Sequence, residues 1–275
     1  ASVSKITLSH LTPTQFLCIA SFVSLAVLFG IIVFQGKLPL LLRSSKRDLV
    51  FGAAFGLLNP FAYYLLLFRA YDILPAQQAQ IINYTWALTL TLLSIPLLKQ
   101  RVSWQQWCAI GVSYTGVFVI ATKGRVLGVE IENPVGIFYA LASTVVWALF
   151  WIFNTKDGRD PVVGLFLNFL WGCPMVFVYL MMTDGFAGIS LTGVLGAAYI
   201  GVFEMGVSFV LWLRAMKLTE ATAKIANLIF ISPIVSLFLI RHFVGEEIFI
   251  STVVGMALVL TGLAIQALSA RSAQK

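Results

Sequence analysis

Residues 50–70 read VFGAAFGLLNPFAYYLLLFRA, and residues 194–215 read VLGAAYIGVFEMGVSFVLWLRA. The two stretches align with one residue inserted in the second, and at Arg69 and Arg214 they settle into an offset of 145. Farther on, Thr115-Gly116 in GVSYTGVFVI matches Thr261-Gly262 in ALVLTGLAIQ, one residue off that period. A chain of 275 residues that repeats at this interval is two copies of one design. Shifting Pro134, which opens the second copy, back by 145 lands ahead of Ala1, so the first helix is expected to be truncated.

The copies are membrane-spanning. The chain is 60% hydrophobic and 11% charged, with a mean hydropathy of +0.95, whereas a soluble domain carries about 25% charged residues. Roughly 20 apolar residues cross a bilayer as helix. On that ruler full spans are predicted near 13–35, 48–70, 75–98, 103–122, 134–155, 161–183, 190–213, 219–243 and 248–269, and residues 1–10 form the tail of one more. The expected fold is an all-α polytopic membrane protein: a ten-helix inverted five-plus-five repeat, first helix truncated. Residues 1–122 form the first repeat, 123–133 a joining loop and 134–275 the second repeat. Five is odd, so the copies have opposite orientation, and inverted repeats of this kind mark transporters. Pro13, Pro75, Pro134 and Pro161 stand at span starts, where a missing N–H is tolerated. Pro60, Pro96, Pro174 and Pro233 lie within spans and are expected to kink or break them.

Lys and Arg accumulate in cytoplasmic loops. Thirteen of the 18 basic residues fall in one set of connections, including Lys37, Arg43, Lys46, Arg47, Arg159 and Lys275; five fall in the other. The C-terminus is therefore expected in the cytoplasm. The same asymmetry explains the net charge of +7 without nucleic acid. Cys18, Cys108 and Cys173 fall inside apolar spans and read as small hydrophobes rather than as a disulfide or metal framework. No signal peptide is expected.

Ten of the eleven acidic residues sit at span ends or between spans; Glu204 alone lies near the middle of one. An ionisable group at that depth costs roughly 2.5 kcal/mol or more on insertion, and by default marks a pathway or site. The alternative is a protonated carboxyl bonded to a neighbouring helix. At the repeat offset Asn59 falls opposite Glu204 and Tyr63 opposite Ser208, and each pair is four residues apart, on one helix face. The span 134–155 carries Ser143, Trp147, Trp151 and Asn154 along one face. Mid-depth Trp facing lipid is uncommon, because its N–H seeks a partner. The span 75–98 adds Asn83, Tyr84 and Trp86, and 219–243 adds Asn227. Together these describe an aromatic-walled cavity with amide and hydroxyl groups, suited to a flat or partly apolar solute with polar ends. Gly52-x-x-x-Gly56 and Ala197-x-x-x-Gly201 read as close helix contacts.

There is no H-E-x-x-H, P-loop or G-x-S-x-G motif, so the sequence does not read as an enzyme and implies no metal or cofactor. Ten helices, the run LRAMKLTEATAKIANLIFISPIVSLFL (213–239) and Gly245-Glu246-Glu247 resemble the drug/metabolite transporter superfamily. The chain looks most similar to bacterial YddG-type exporters of aromatic amino acids. The first half departs from the motif, with Leu88 at the position of Pro233 and Gln100-Arg101-Val102 in place of the Gly-Glu element.

The resemblance implies alternating access in the bacterial inner membrane and a central cavity between the helices that carry these residues. It also implies a small-molecule substrate and a monomer or weak oligomer. The expected solute is an amino acid, held by Asn59, Tyr63, Asn83, Tyr84, Trp86, Trp147, Trp151, Glu204, Ser208 and Asn227, with Glu204 also the candidate for proton coupling. An exporter of cationic drugs, and a non-transporting membrane enzyme or scaffold, are the rival readings.

Overall fold

The computed structural model describes residues 2–99, 102–124, 133–154, 157–212 and 231–272, and among these every element is helical. In chain order the helices are α1 (Ser2–Leu8), α2 (Pro13–Phe34), α3 (Leu38–Leu42), α4 (Lys46–Gly56), α5 (Tyr63–Ile73), α6 (Ala76–Asn83), α7 (Trp86–Leu98), α8 (Trp104–Ala121), α9 (Pro134–Asn154), α10 (Pro161–Met182), α11 (Leu191–Tyr199), α12 (Ile231–Leu239) and α13 (Ile250–Ser272). Wide turns of the π type continue three of them: Leu57–Ala62 joins α4 to α5, Ile200–Ser208 extends α11, and Ile240–Val244 extends α12.

Six stretches among the described residues are long and apolar enough to cross a bilayer: Pro13–Phe34, Lys46–Ile73, Pro134–Asn154, Pro161–Met182, Leu191–Trp212 and Ile250–Leu268. The protein is a multi-pass membrane protein. The predicted span 75–98 is two helices, α6 and α7, with Tyr84 and Thr85 between them, and residues 219–230 of the predicted span 219–243 lie outside the described residues. Pro13, Pro134 and Pro161 are first helical residues, as their missing N–H allows. Pro60 stands at a break, whereas α7 and α10 run on through Pro96 and Pro174.

The chain forms two compact units, each assembled from both halves of the sequence. The first comprises Val3–Phe68 and Phe153–Leu218; the second comprises Arg69–Ile152 and Thr219–Lys275, with Ala1–Ser2.

In the first unit, α4 and the turn after it pack on α10, α11 and its extension pack on α2, and α2 packs on α10. Glycine sets the spacing. A Cβ on Gly201 would lie 2.5 Å from the Ala20 carbonyl oxygen and 2.9 Å from the Val23 side chain. One on Gly56 would strike the Asn168 carbonyl and lie 2.9 Å from the Gly172 nitrogen. Without an apolar solvent penalty to drive helices together in lipid, such backbone approach supplies the packing. The contacts Gly56–Asn168 and Gly201–Val23 exchange under the 145-residue offset.

In the second unit the dominant pair is α8 with α13. Gly116 lies against Gly255 and Val259, Gly262 lies against Ser113, and Ser113 Oγ donates to the Val259 carbonyl at 3.2 Å. The pairs Gly116–Val259 and Gly262–Ser113 exchange at an offset of 146. The Gly245-Glu246-Glu247 element, just before α13, reaches α6 in the same unit. Gly245 takes φ +73°, and Glu246 Oε1 accepts from the Ala76 N–H at 2.8 Å while Oε2 takes the Gln77 N–H at 3.4 Å. A carboxylate 170 residues away thus caps the N-terminus of α6, which lacks a side-chain cap of its own from Pro75.

Candidate functional site

In the first unit the 28-residue stretch Lys46–Ile73 is interrupted at Asn59, whose φ of −146° and ψ of 117° are extended rather than helical. Two features of the sequence force this. Pro60 has no N–H for the helical ladder, and in an unbroken helix its ring would strike the carbonyl of residue 56. The ring instead seats on Gly172, where a Cβ would lie 2.5 Å from Pro60 Cδ. Asn59 is left fully buried, and among the described residues neither its amide nitrogen nor its amide oxygen has a hydrogen-bond partner. An orphaned buried polar group costs about 1–3 kcal/mol. Such a cost is tolerated where a group must stay open for something else.

Tyr63, one helical turn on, is also buried and meets Tyr64 at a ring separation of 4.9 Å. Glu204 lies in the middle of the wide turn Ile200–Ser208; it is half-buried, and Ser208 is exposed. The two positions paired by the repeat, 59 and 204, are therefore both found where α-helical geometry is interrupted, and such turns recur at functional sites. The surroundings differ: the Asn59–Tyr63 face is buried, and the Glu204–Ser208 face is open.

In the second unit, Asn83 ends α6 and donates through Nδ2 to Ser143 Oγ at 3.0 Å; Ser143 in turn donates to the Ala140 carbonyl at 2.7 Å. Trp147 follows Ser143 by one turn of α9. It stacks on Phe150 at 5.5 Å and meets Trp151 edge-on at 5.8 Å. The Trp151 indole N–H is buried without an acceptor among the described residues. Trp86 opens α7 and is half-buried, as is Tyr84 just before it. The structure thus brings Asn83 to the α9 face that carries both tryptophans. Asn227 lies outside the described residues.

Sequence reading passed over two polar clusters. In the first, Thr89 Oγ1 lies 2.9 Å from Thr144 Oγ1 and 3.0 Å from the Tyr114 hydroxyl. Nearby, Gln266 Nε2 of α13 reaches the Ala87 carbonyl of α7 at 3.1 Å and also Thr91. Single threonines in apolar spans carry no periodic signal. The second cluster is at one polar end of the first unit. There Arg159 Nε donates to both oxygens of Asp157 at 2.8 and 3.0 Å, Nη1 to the Asp48 carbonyl at 3.2 Å and Nη2 to Asn168 Oδ1 at 3.1 Å, with the guanidinium 5.3 Å from the Phe55 ring centroid. Both partners of the Arg159–Asp157 pair are only 7% exposed. Alongside, Lys37 Nζ holds Asp160 Oδ2 at 2.9 Å, and Asp160 Oδ1 caps α10 through the Val162 and Val163 N–H groups. Burial by itself would raise the Asp160 carboxyl, but the Lys37 ammonium and the two backbone donors outweigh it and hold the group below the usual carboxylate range.

Residues 1–122 and 134–268 match the EamA-like transporter family. The chain belongs to that family. Among relatives of the transporter, an "Uncharacterized transporter" of Clostridium kluyveri is 27% identical over 80% of this chain and 73% of its own length. A second, "Uncharacterized transporter in sor 3'region" of Acidianus ambivalens, is 26% identical over 83% of this chain and 89% of its own. A "Probable terminal-alkyne amino-acid exporter" of Streptantibioticus cattleyicolor is 27% identical over 70% of this chain and 64% of its own. One solved crystal structure of a protein matches 99% of the transporter and 93% of its own chain, with a TM-score of 0.69 at 19% identity, a likeness of fold alone.

Proposed function

We propose that this family member exports amino acids, aromatic ones among them, across the bacterial inner membrane by alternating access. The observation that carries the reading is the coincidence of helix interruption with polar groups at the two repeat-paired positions, Asn59 and Glu204. Transporters bind solutes where membrane helices are discontinuous, because freed backbone and side-chain groups there can replace solute hydration. In the first unit the Asn59 amide is suited to a polar solute group such as a carboxylate or an ammonium, and in the second the Trp147–Trp151 pair is by itself suited to apolar or aromatic groups. Tyr63, Tyr84 and Trp86 add aromatic surface, and Asn83, Ser208 and Asn227 add polar groups. Glu204 is suited to an ammonium group or a coupling proton. The amino-acid exporter among the relatives supports the same substrate class, and the exchanged glycine contacts support the reading of two inverted copies.

Counterflow in proteoliposomes tests it. Phenylalanine is expected to exchange, and Asn59→Ala and Trp147→Ala are each expected to lower its flux at least tenfold at unchanged folded yield, about 1.4 kcal/mol or more of lost solute stabilisation. Glu204→Gln is expected to remove the pH dependence of flux. Movement of methyl viologen alone would replace the amino acid reading with that of a cationic-drug exporter.

A further inference from the structure

The polar end of the first unit that carries residues 35–47 and 157–160 holds a cavity of about 610 Å³. Its lining is divided in character. Leu40, Phe51, Val163 and Leu167 supply apolar surface, and Arg43 and Arg47 supply charge.

Three acids also line it, but each is already engaged. Asp157 holds Arg159, Asp160 holds Lys37 and the first N–H groups of α10, and Asp48 forms a capping box with Ser45 at the start of α4. Arg159 is likewise engaged, by Asp157, Asn168 and the Asp48 carbonyl. What remains is cationic. The Arg43 side chain is exposed with no hydrogen bond or ion pair among the described residues, and Arg47 is exposed with its guanidinium 5.2 Å from the Phe51 ring centroid.

The segment beside the cavity joins two membrane-spanning helices over eleven residues, Gln35 to Ser45, so it stays at the membrane face. It is nevertheless apolar and uncovered. No residue of α3, whose sequence is LPLLL, is buried, and Phe34, Leu40 and Leu42 are 93%, 52% and 77% exposed. Exposed leucines flanked by Lys37, Arg43, Lys46 and Arg47 match the layered chemistry of a leaflet, acyl carbons beneath phosphates. Free phosphate would use the arginines and leave the leucines unexplained.

We propose that this cavity binds the phosphodiester headgroup of an anionic phospholipid from the surrounding leaflet, with Arg43 and Arg47 on the phosphate and the upper acyl carbons against Leu40 and Phe51. The site is separate from Asn59 and Glu204, and it does not depend on which solute is carried.

Native mass spectrometry of the detergent-purified full chain, titrated with phosphatidylglycerol, phosphatidylcholine or inorganic phosphate, tests this. One retained phosphatidylglycerol is expected. The Arg43→Gln/Arg47→Gln double variant is expected to bind it roughly 30-fold more weakly, from about one interfacial charge contribution per arginine. Arg43→Lys/Arg47→Lys is expected to keep most of the affinity. Equal retention of phosphatidylcholine, saturation by inorganic phosphate alone, or unchanged binding by the glutamine variant would each overturn the proposal. A photoactivatable phosphatidylglycerol on the unaltered protein gives a readout independent of variant folding: cross-links are expected in 37–51, and labelling confined to other segments would overturn the site.

Discussion

At the scale of single residues, the Gly245-Glu246-Glu247 element has a physical task. Glu246 supplies the carboxylate that caps α6 from the far end of the sequence, and Gly245 supplies the left-handed turn, φ +73°, that brings it there. The first N–H groups of a helix have no intrahelical partner and carry partial positive charge. Glu246→Ala is therefore expected to destabilise the protein by about 1–2 kcal/mol, read as a lower midpoint of thermal unfolding in detergent. Glu246→Gln keeps an acceptor oxygen and is expected to lose less; equal loss would mean that charge, not hydrogen bonding, carries the effect. None of this was legible in the sequence, since a cap that spans 170 residues leaves no local pattern. Glu204, by contrast, is legible because an acid in the middle of an apolar span is rare whatever surrounds it, and Asn59 is legible through the repeat that places it opposite Glu204. The sequence could not show that Asn59 is buried and unpartnered while Ser208 is exposed, since that depends on which neighbours each helix receives.

At the scale of elements, glycines do two different things in the same unit. Gly201 faces the Ala20 carbonyl and Val23 so closely that a Cβ cannot be placed without moving α2 or α11, whereas a Cβ on Gly30 would meet nothing within 4 Å. Gly201→Ala is expected to destabilise by about 1–3 kcal/mol, the cost of overpacking. Gly30→Ala is expected to be neutral or to stabilise by up to about 1 kcal/mol through helix propensity. Thermal unfolding of the two variants side by side checks the contrast, and equal midpoints would contradict the close crossing.

The elements also show where hydrophobic length misleads. Residues 75–98 are long and apolar enough to read as one span in spite of Gln77, Gln78, Gln80 and Asn83, but the chain turns at Tyr84 and Thr85, and Thr85 is held by its own bond to the Ile82 carbonyl. Proline was an equally incomplete guide. Pro60 marks a break because Gly172 makes room for its ring, while Pro96 and Pro174 are absorbed into continuing helices. Whether proline breaks a membrane helix depends on its neighbours.

At the scale of the whole molecule, orientation in the bilayer connects the charge pattern with the fold. Within the first unit, two sets of bonds tie loops that are distant in sequence. At one end, Lys37 holds Asp160 and Arg159 holds the Asp48 carbonyl; at the other, Thr12 donates to Asp184 and Gln15 donates to the carbonyls of Gly185 and Ala187. The loops 35–45 and 157–160 therefore share one membrane face, and 9–12 and 183–190 share the opposite one. The first face carries Lys37, Arg43, Lys46, Arg47 and Arg159, while 183–190 carries no basic residue. Basic residues near span ends are retained in the cytoplasm, so the first face is expected inside, and the charge pattern of the sequence gives the C-terminus the same expectation independently. Single cysteines at Ser44 and at the exposed Ala187, introduced into a variant with Cys18, Cys108 and Cys173 replaced by Ala, check this with a membrane-impermeant maleimide. In intact spheroplasts Ala187→Cys is expected to react and Ser44→Cys to react only after permeabilisation, as is a cysteine at Ala273. Labelling of Ser44→Cys from outside would reverse the molecule in the membrane, and it would place the proposed lipid site in the outer leaflet rather than the inner one.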